Sequence, residues 1–435
     1  MNKDSLGTAH KLLPLRLLVP MALMTGVATG AGAWLLKWLC HLLHGLIFGL
    51  LHPDTFNWSL LLWPPAGILL TFLAGKYLFR QQVSDACARL SAHLRNDRLP
   101  LSPNIIWETL CGCTLTIGLG ASAGTESPIA YSGAAMGNSL GRIFGVNTRS
   151  MRVLVACGAG AGIGAIFKSP IGGLFFVLEI LRLELSTNAV TAAGVASLTG
   201  ALTAYVLSGC TPDIHYSAPF PPDPHTYAAV ILLGILTGLY ARWYDFCSDK
   251  AIAMLSGMRH AAWKPIVSGA ILGLAVLIMP GLYGDGYTLM SHLLDGRGSF
   301  IASYSAWAGT HSMYALLAIA AGMLLVKGSL VALANNGGGV AGDFSPTLFA
   351  GCIGGWLFAI VCNSLTGTTL PPASFACIGM GAAMAAILRA PLMAIFITVE
   401  ATMAYSMLLP VSVAALAAFA TAKISRLKQH SETDG

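Results

Sequence analysis

Apolar residues run in long blocks: Leu12 to Leu51, Leu60 to Phe79, Ile105 to Ala123, Ala228 to Tyr240, Ile266 to Met279 and Tyr314 to Leu333. A helix that crosses a bilayer needs about 20 predominantly apolar residues, and several of these blocks are shorter or interrupted by Gly and Pro. The pattern predicts helices throughout, some stopping partway across the membrane. Backbone left open at that depth must be buried in protein or line a water-filled cavity. Ser102-Pro103, Ser169-Pro170 and Ser345-Pro346 put proline where a helix begins or breaks. The run Asn335-Asn336-Gly337-Gly338-Gly339 predicts irregular backbone, because it cannot hold an ordinary helix.

Composition fixes the solvent. Of 435 residues, 55% are apolar and 10% charged, against about 25% charged in a soluble domain. The chain reads as an all-α, multi-pass integral membrane protein whose partner is the lipid bilayer. The first apolar run follows Lys11 and Arg16 and has no small-residue cleavage site, so it predicts a retained helix rather than a removable signal. Both ends are basic (Lys3, Lys11, Arg16; Lys423, Arg426, Lys428), whereas Ser208 to Thr226 has five prolines, two aspartates and no Lys or Arg. The positive-inside rule then makes both termini cytoplasmic and the middle linker external; a bacterial inner membrane is the expected location. The expected organisation is a first transmembrane repeat over 1–208, an external linker over 209–226, a second, inverted repeat over 227–427, and a cytoplasmic tail over 428–435 with no regulatory domain attached. The net charge of +6 calls for no nucleic-acid partner.

Two motifs occur twice. Gly124-Thr125-Glu126-Ser127-Pro128, followed by Gly133, returns as Gly342-Asp343-Phe344-Ser345-Pro346, followed by Gly351. Cys157 to Ala161, through Lys168-Ser169-Pro170 to Glu179, returns as Ile378 to Ala382, through Arg389-Ala390-Pro391 to Glu400. Such recurrence in an apolar chain marks a transporter of two repeats whose broken helices meet near the midplane. A glycine turn that opens a helix leaves N–H groups unpaired at a positive dipole end, which suits an anion. Glu126 would occupy such a site as a tethered anion, or merely cap the first turn; a carboxylate at membrane depth is costly unless paired, protonated or functional. Phe344, at the matching position, would leave its amides to an anion and constrict a pathway. Glu179 and Glu400 read either as buried carboxylates holding nearby backbone or as steps on a proton route. Lys168 and Arg389 either raise the local anion potential or solvate helix ends.

Other features add little chemistry. The ten cysteines are scattered and read as small buried residues, and His41 and His44 have no carboxylate or Cys to complete a metal site. Gly133-Gly137-Gly141 and Gly160-Gly164 predict close helix packing. The Gly158-x-Gly160-x-Gly162 spacing is not preceded by a strand, so a dinucleotide site is rejected. No metal or cofactor is expected.

On these motifs the chain resembles the CLC chloride channels and chloride/proton exchangers over nearly its whole length. Gly124 to Pro128 is similar to the family's Gly-x-Glu-Gly-Pro signature, Gly342 to Pro346 to its Gly-x-Phe-x-Pro signature, and Gly379-Met380-Gly381 through Arg389-Ala390-Pro391 to Glu400 to a further family block. The resemblance implies the inverted-repeat CLC fold with re-entrant helices and a homodimer with one anion pathway per subunit. It makes Glu126 the gating glutamate and the Asp343 and Phe344 amides anion ligands. Ser84 falls where the family has its anion-coordinating serine, but Val83-Ser84-Asp85-Ala86-Cys87 replaces Gly-Ser-Gly-Ile-Pro. Thr125 replaces a basic residue, for which Lys168 is the substitute the sequence offers. Ile180 stands where exchangers carry a proton-relaying glutamate, and no tyrosine follows Ala422. The expectation is transport of chloride or a similar anion, gated by protonation of Glu126, with weak or no stoichiometric proton movement. The alternatives are a proton-coupled chloride or fluoride antiporter, a nitrate-selective pathway, and, more remotely, an intramembrane enzyme or a scaffold.

Overall fold

The computed structural model describes residues 12–53, 55–80, 90, 101–214, 216, 218–308 and 312–433, with side chains as far as residue 426. Its helices in the first half are α1 (Leu15–Phe48), α2 (Trp63–Leu73), α3 (Asn104–Gly118), α4 (Glu126–Ile143), α5 (Thr148–Phe167), α6 (Pro170–Glu179) and α7 (Thr187–Leu207). The second half contributes α8 (Pro224–Ser256), α9 (Trp263–Ile278), α10 (Tyr287–Leu294), α11 (Met313–Asn336), α12 (Phe344–Thr366), α13 (Pro372–Leu388), α14 (Pro391–Ala401) and α15 (Leu408–Thr433). Among the described residues eight helical segments are long and apolar enough to cross a membrane. Shorter apolar helices such as α6 and α14 cannot span alone. Leu46, Leu202, Leu325 and Leu416 face outward, as lipid contact permits.

Small residues bring the helices of the interior together. A Cβ on Gly133 of α4 would collide with the carbonyl of Gly158 on α5, and one on Gly351 of α12 with that of Gly379 on α13. Gly133 and Gly351 follow Glu126 and Phe344 at the same offset, so the same close helix pair is built twice. Backbones this near gain van der Waals contact that lipid chains cannot match.

Helices α6 and α14 cap one another. Glu179, the last residue of α6, accepts from the Leu392 and Met393 amides at the start of α14 (3.2 and 2.8 Å). Glu400, near the end of α14, accepts from the Ile171 and Gly172 amides at the start of α6 (3.0 and 3.1 Å) and from Ser169 Oγ (2.6 Å). Each carboxylate thus satisfies the open N–H groups of the other helix, which requires α6 and α14 to run antiparallel. Phe175 and Phe396, again at matching positions, stack between them at 5.2 Å.

One sequence expectation is corrected. Asn335 and Asn336 lie within α11 rather than in irregular backbone. Asn336 Nδ2 donates to Ala332 O (2.9 Å) and Asn335 Nδ2 to Asp343 Oδ1 (3.2 Å), so neither side chain competes with the helix. The break begins at Gly337, and Gly338, at φ 110°, makes the turn that only glycine adopts readily.

Candidate functional site

The two glycine turns meet. Gly124 N–H donates to Gly342 O (2.8 Å) and Gly342 N–H to Gly124 O (2.7 Å), an isolated antiparallel bridge between the halves. Close by, Val340 N–H donates to Thr116 Oγ1 (3.0 Å), which itself bonds Thr71 Oγ1 (3.0 Å). Helices α4 and α12 open from opposite sides of this bridge, so their N-terminal ends address one buried region.

Glu126, the first residue of α4, is fully buried there. Its carboxylate reaches across to the start of α12. Ser345 donates its hydroxyl to Oε1 in a short hydrogen bond and its amide to Oε2 at 3.3 Å. Tyr287, at the start of α10, adds its hydroxyl to Oε1 at 3.3 Å. The carboxylate therefore sits at the positive N-terminal end of α12. Phe344 is buried beside it, its ring 5.7 Å from that of Phe176. Asp343 immediately precedes α12 and accepts from Asn335. Ser127 and Pro128 continue α4 behind Thr125, and Pro346 continues α12 behind Ser345.

The remaining sequence candidates lie elsewhere. Glu179 and Glu400 are engaged in the α6–α14 caps. Ile180 follows the last residue of α6, partly buried against the core. Lys168 does not supply the charge missing at Thr125: its ammonium is held by Asp213 Oδ1 (2.8 Å) and Thr211 O (2.6 Å), and Asp213 is shared with Lys37 (2.6 Å). The reason is the linker, whose Asp213 reaches down between the two lysines. Ser84 and Asp85 lie outside the described residues.

Three groups at the site escaped the sequence reading: Tyr287, Ser122 and Lys327. Tyr287 and Ser122 carry no local signal. Lys327 did, since an ionisable residue amid the Tyr314–Leu333 apolar run marks function by default. Its side chain is fully buried and donates to Ser122 Oγ at 2.8 Å, in the turn just before Gly124.

With this geometry in view, comparison with known proteins is decisive: the family described as "Voltage gated chloride channel" matches residues 66–423. The chain belongs to this family, the CLC proteins. A "Putative chloride channel protein ClcB-like" from Ralstonia nicotianae is 29% identical, over 84% of this chain and 82% of that protein. The "H(+)/Cl(-) exchange transporter ClcA" of Vibrio cholerae is 26% identical, over 83% and 77%. Among solved structures, a slow cyanobacterial Cl−/H+ antiporter superposes with TM-score 0.77 at 25% identity over 95% of both chains. A CLC-type fluoride/proton antiporter superposes at 0.73 and 20% identity over 93% of this chain and 95% of that one, a likeness of fold alone. The chain is thus an all-helical, multi-pass CLC membrane protein, and the intramembrane-enzyme and scaffold readings fall away.

Proposed function

We propose that this CLC protein moves chloride or a similarly small anion through the region between the Gly124 and Gly342 turns, with Glu126 as its gate. One observation carries the reading: the Glu126 carboxylate, fully buried, occupies the N-terminal end of α12 and takes the Ser345 amide and hydroxyl. Those are the donors an anion would use, so carboxylate and anion compete for one seat. Protonation removes the negative charge and frees the seat. The names of the similar ClcA and cyanobacterial proteins, chloride and proton exchangers, support chloride as cargo.

Proton counter-transport is the second reading, and those same names favour it. Against it stand Ile180, which cannot relay a proton, and Glu179, whose carboxylate is engaged by the Leu392 and Met393 amides. We infer anion movement with weak or no stoichiometric proton exchange. The repeat boundaries (1–208, 209–226, 227–427), the cytoplasmic termini and the homodimer are carried forward as part of the proposal. The antiparallel α6–α14 pair supports the inversion, and the Lys/Arg distribution supports the orientation.

The test is a liposome assay recording chloride efflux and proton movement together between about pH 4.5, just above the mean carboxyl value in folded proteins, and about pH 7.5. Flux that responds to pH in the native protein and is flat in Glu126→Gln is the expected result. An unchanged pH response in the variant removes Glu126 from gating, and robust uphill proton uptake abolished by Glu126→Gln replaces the uncoupled reading with the exchanger.

A further inference from the structure

Lys327 has a placement that the gating scheme leaves unused. It sits in α11 with no exposure, the one charged residue of that helix. Its nitrogen donates to Ser122 Oγ at 2.8 Å and lies 4.2 Å from the centroid of the Phe349 ring. Ser122 belongs to the turn that delivers Glu126; Phe349 belongs to α12, whose first turn holds the Glu126 carboxylate. The ammonium therefore stands between the two elements that form the seat. Among the described residues no carboxylate comes within 4.0 Å of it. The negative charges that act on it are Asp285 and, more weakly, Glu126.

A buried ammonium with only a hydroxyl and a ring in contact is costly. The cation–π contact recovers part of that cost. If the contact with Ser122 were the whole role, a neutral donor would serve with no desolvation penalty, so the charge itself calls for a use.

We propose that Lys327, in its protonated form, is the countercharge of the anion seat, a specificity-determining residue that binds the transported anion when Glu126 leaves. The inference rests on the proposed function. With Glu126 ionised and in place, Glu126, Asp285 and Lys327 sum to one negative charge. With Glu126 protonated and one chloride bound, the sum is the same. Lys327 cancels Asp285 in both states; without it, either anion would enter against the field of Asp285. Lys327 also supplies from α11 the positive field that Thr125 does not supply from α4.

Ser345 from α12 and Tyr287 from the start of α10 contact the Glu126 carboxylate; Asp285 accepts from the Tyr287 amide at 3.2 Å and acts on Glu126 through its charge, and the charges of Glu126 and Lys327 act on one another. Lys37 lies behind Tyr287, over its ring at 4.8 Å. Of these, Lys327 and Asp285 are the charges whose removal tests the balance directly.

The experiment measures chloride half-saturation of liposome flux and the pH midpoint of that flux, with thermal unfolding in detergent as the check on folding. Lys327→Met is expected to raise the half-saturation concentration about tenfold and to move the pH midpoint up by about one unit, the scale of one unscreened charge at this range. Lys327→Arg should stay near the native values, and Lys327→Met with Asp285→Asn should return toward them. If Lys327→Met does not fold, Asp285→Asn alone carries the test: chloride should bind more tightly and the midpoint should fall. A folded Lys327→Met with native half-saturation and midpoint overturns the inference, as does an Asp285→Asn variant that changes neither. Absence of chloride flux in the native protein would instead overturn the proposed function, so the two failures are separable.

Discussion

Gly124 and Gly342, one from each repeat of the same motif, exchange both backbone hydrogen bonds, at 2.8 and 2.7 Å. This bridge makes two helix starts, 218 residues apart by the difference 342 − 124, into one anion seat. It also explains the choice of glycine on both sides. A Cβ at Gly124 would run into Glu126 Oε2, and one at Gly342 would meet the Ser127 amide nitrogen at 2.8 Å.

Gly124→Ala should therefore displace the gate rather than merely loosen the fold. The added methyl claims the space of the Glu126 carboxylate, a flexible group that can turn away, while the bridge itself survives. Chloride flux at pH 7.5 should rise toward its low-pH level. Flux that remains as closed at high pH as in the native protein would show that the carboxylate keeps its seat. Gly342→Ala meets the Ser127 amide nitrogen and Cβ as well as its hydroxyl, and these cannot turn away, so its expected effect is loss of folded protein.

The donors to Glu126 can be ranked by geometry. Ser345 gives a short hydroxyl bond and an amide, whereas the Tyr287 hydroxyl stands at 3.3 Å, long for O–H···O. A hydrogen bond to a charged group contributes about 1.5–3 kcal/mol, which corresponds to about one to two pH units. Ser345→Ala should shift the pH midpoint of flux upward by about one unit, because the ionised gate loses its best donor. Tyr287→Phe should shift it in the same direction by clearly less. The reverse order, measured on the same flux assay, would place Tyr287 and not Ser345 as the main holder of the gate.

How much of this was legible beforehand depends on whether the signal was local. The membrane class, the paired motifs and Glu126 follow from apolar blocks, Gly and Pro positions and a carboxylate in the wrong solvent, all readable along the chain. The pairing of Glu126 with Ser345 was not, because each turn predicts an anion site at its own helix and only the fold sets one carboxylate on the other helix. Lys168 misled for the same reason. Its partner Asp213 lies in a linker whose path no local pattern records. Lys327 was readable as a lone charge in an apolar span, but its contact with Ser122 was not. Ser84 lies outside the described residues.

The reciprocal caps of α6 and α14 make a stability prediction that is independent of transport. Glu400 is buried and takes two amides and the Ser169 hydroxyl, whereas Glu179 is half-buried and takes two amides. Removing a buried, hydrogen-bonded carboxylate at a helix start costs about 2–4 kcal/mol, and a partly exposed one about 1 kcal/mol. Glu400→Ala should lower the unfolding temperature in detergent several degrees more than Glu179→Ala. Glu179→Gln should leave the pH response of chloride flux unchanged. A Glu179→Gln variant that loses proton movement while keeping its unfolding temperature would return Glu179 to a proton route.

Asp213 gives the last prediction, since its pH sign differs from that of the gate. Burial pushes its carboxyl up, but Lys37 and Lys168 more than reverse this and leave it below its ordinary value. Folding is then stabilised by the ionised form. The contribution is fully present above the ordinary carboxylate range of about pH 4 and is lost as pH falls through the lowered native value. Asp213→Asn leaves two lysines without their shared counter-ion, and should cost about 1–2 kcal/mol at pH 7, a figure between those of exposed and buried pairs. The gap in unfolding temperature between the native protein and Asp213→Asn should stay constant from pH 7.5 down to about 5 and close only below about 4. Because Asp213 is held by Lys37 and Lys168 and not by the Glu126 seat, Asp213→Asn should leave the pH midpoint of flux in place. A midpoint that moves in Asp213→Asn, with the stability gap already closing near pH 6, would make the lysine–aspartate cluster part of the gate rather than a brace beside it.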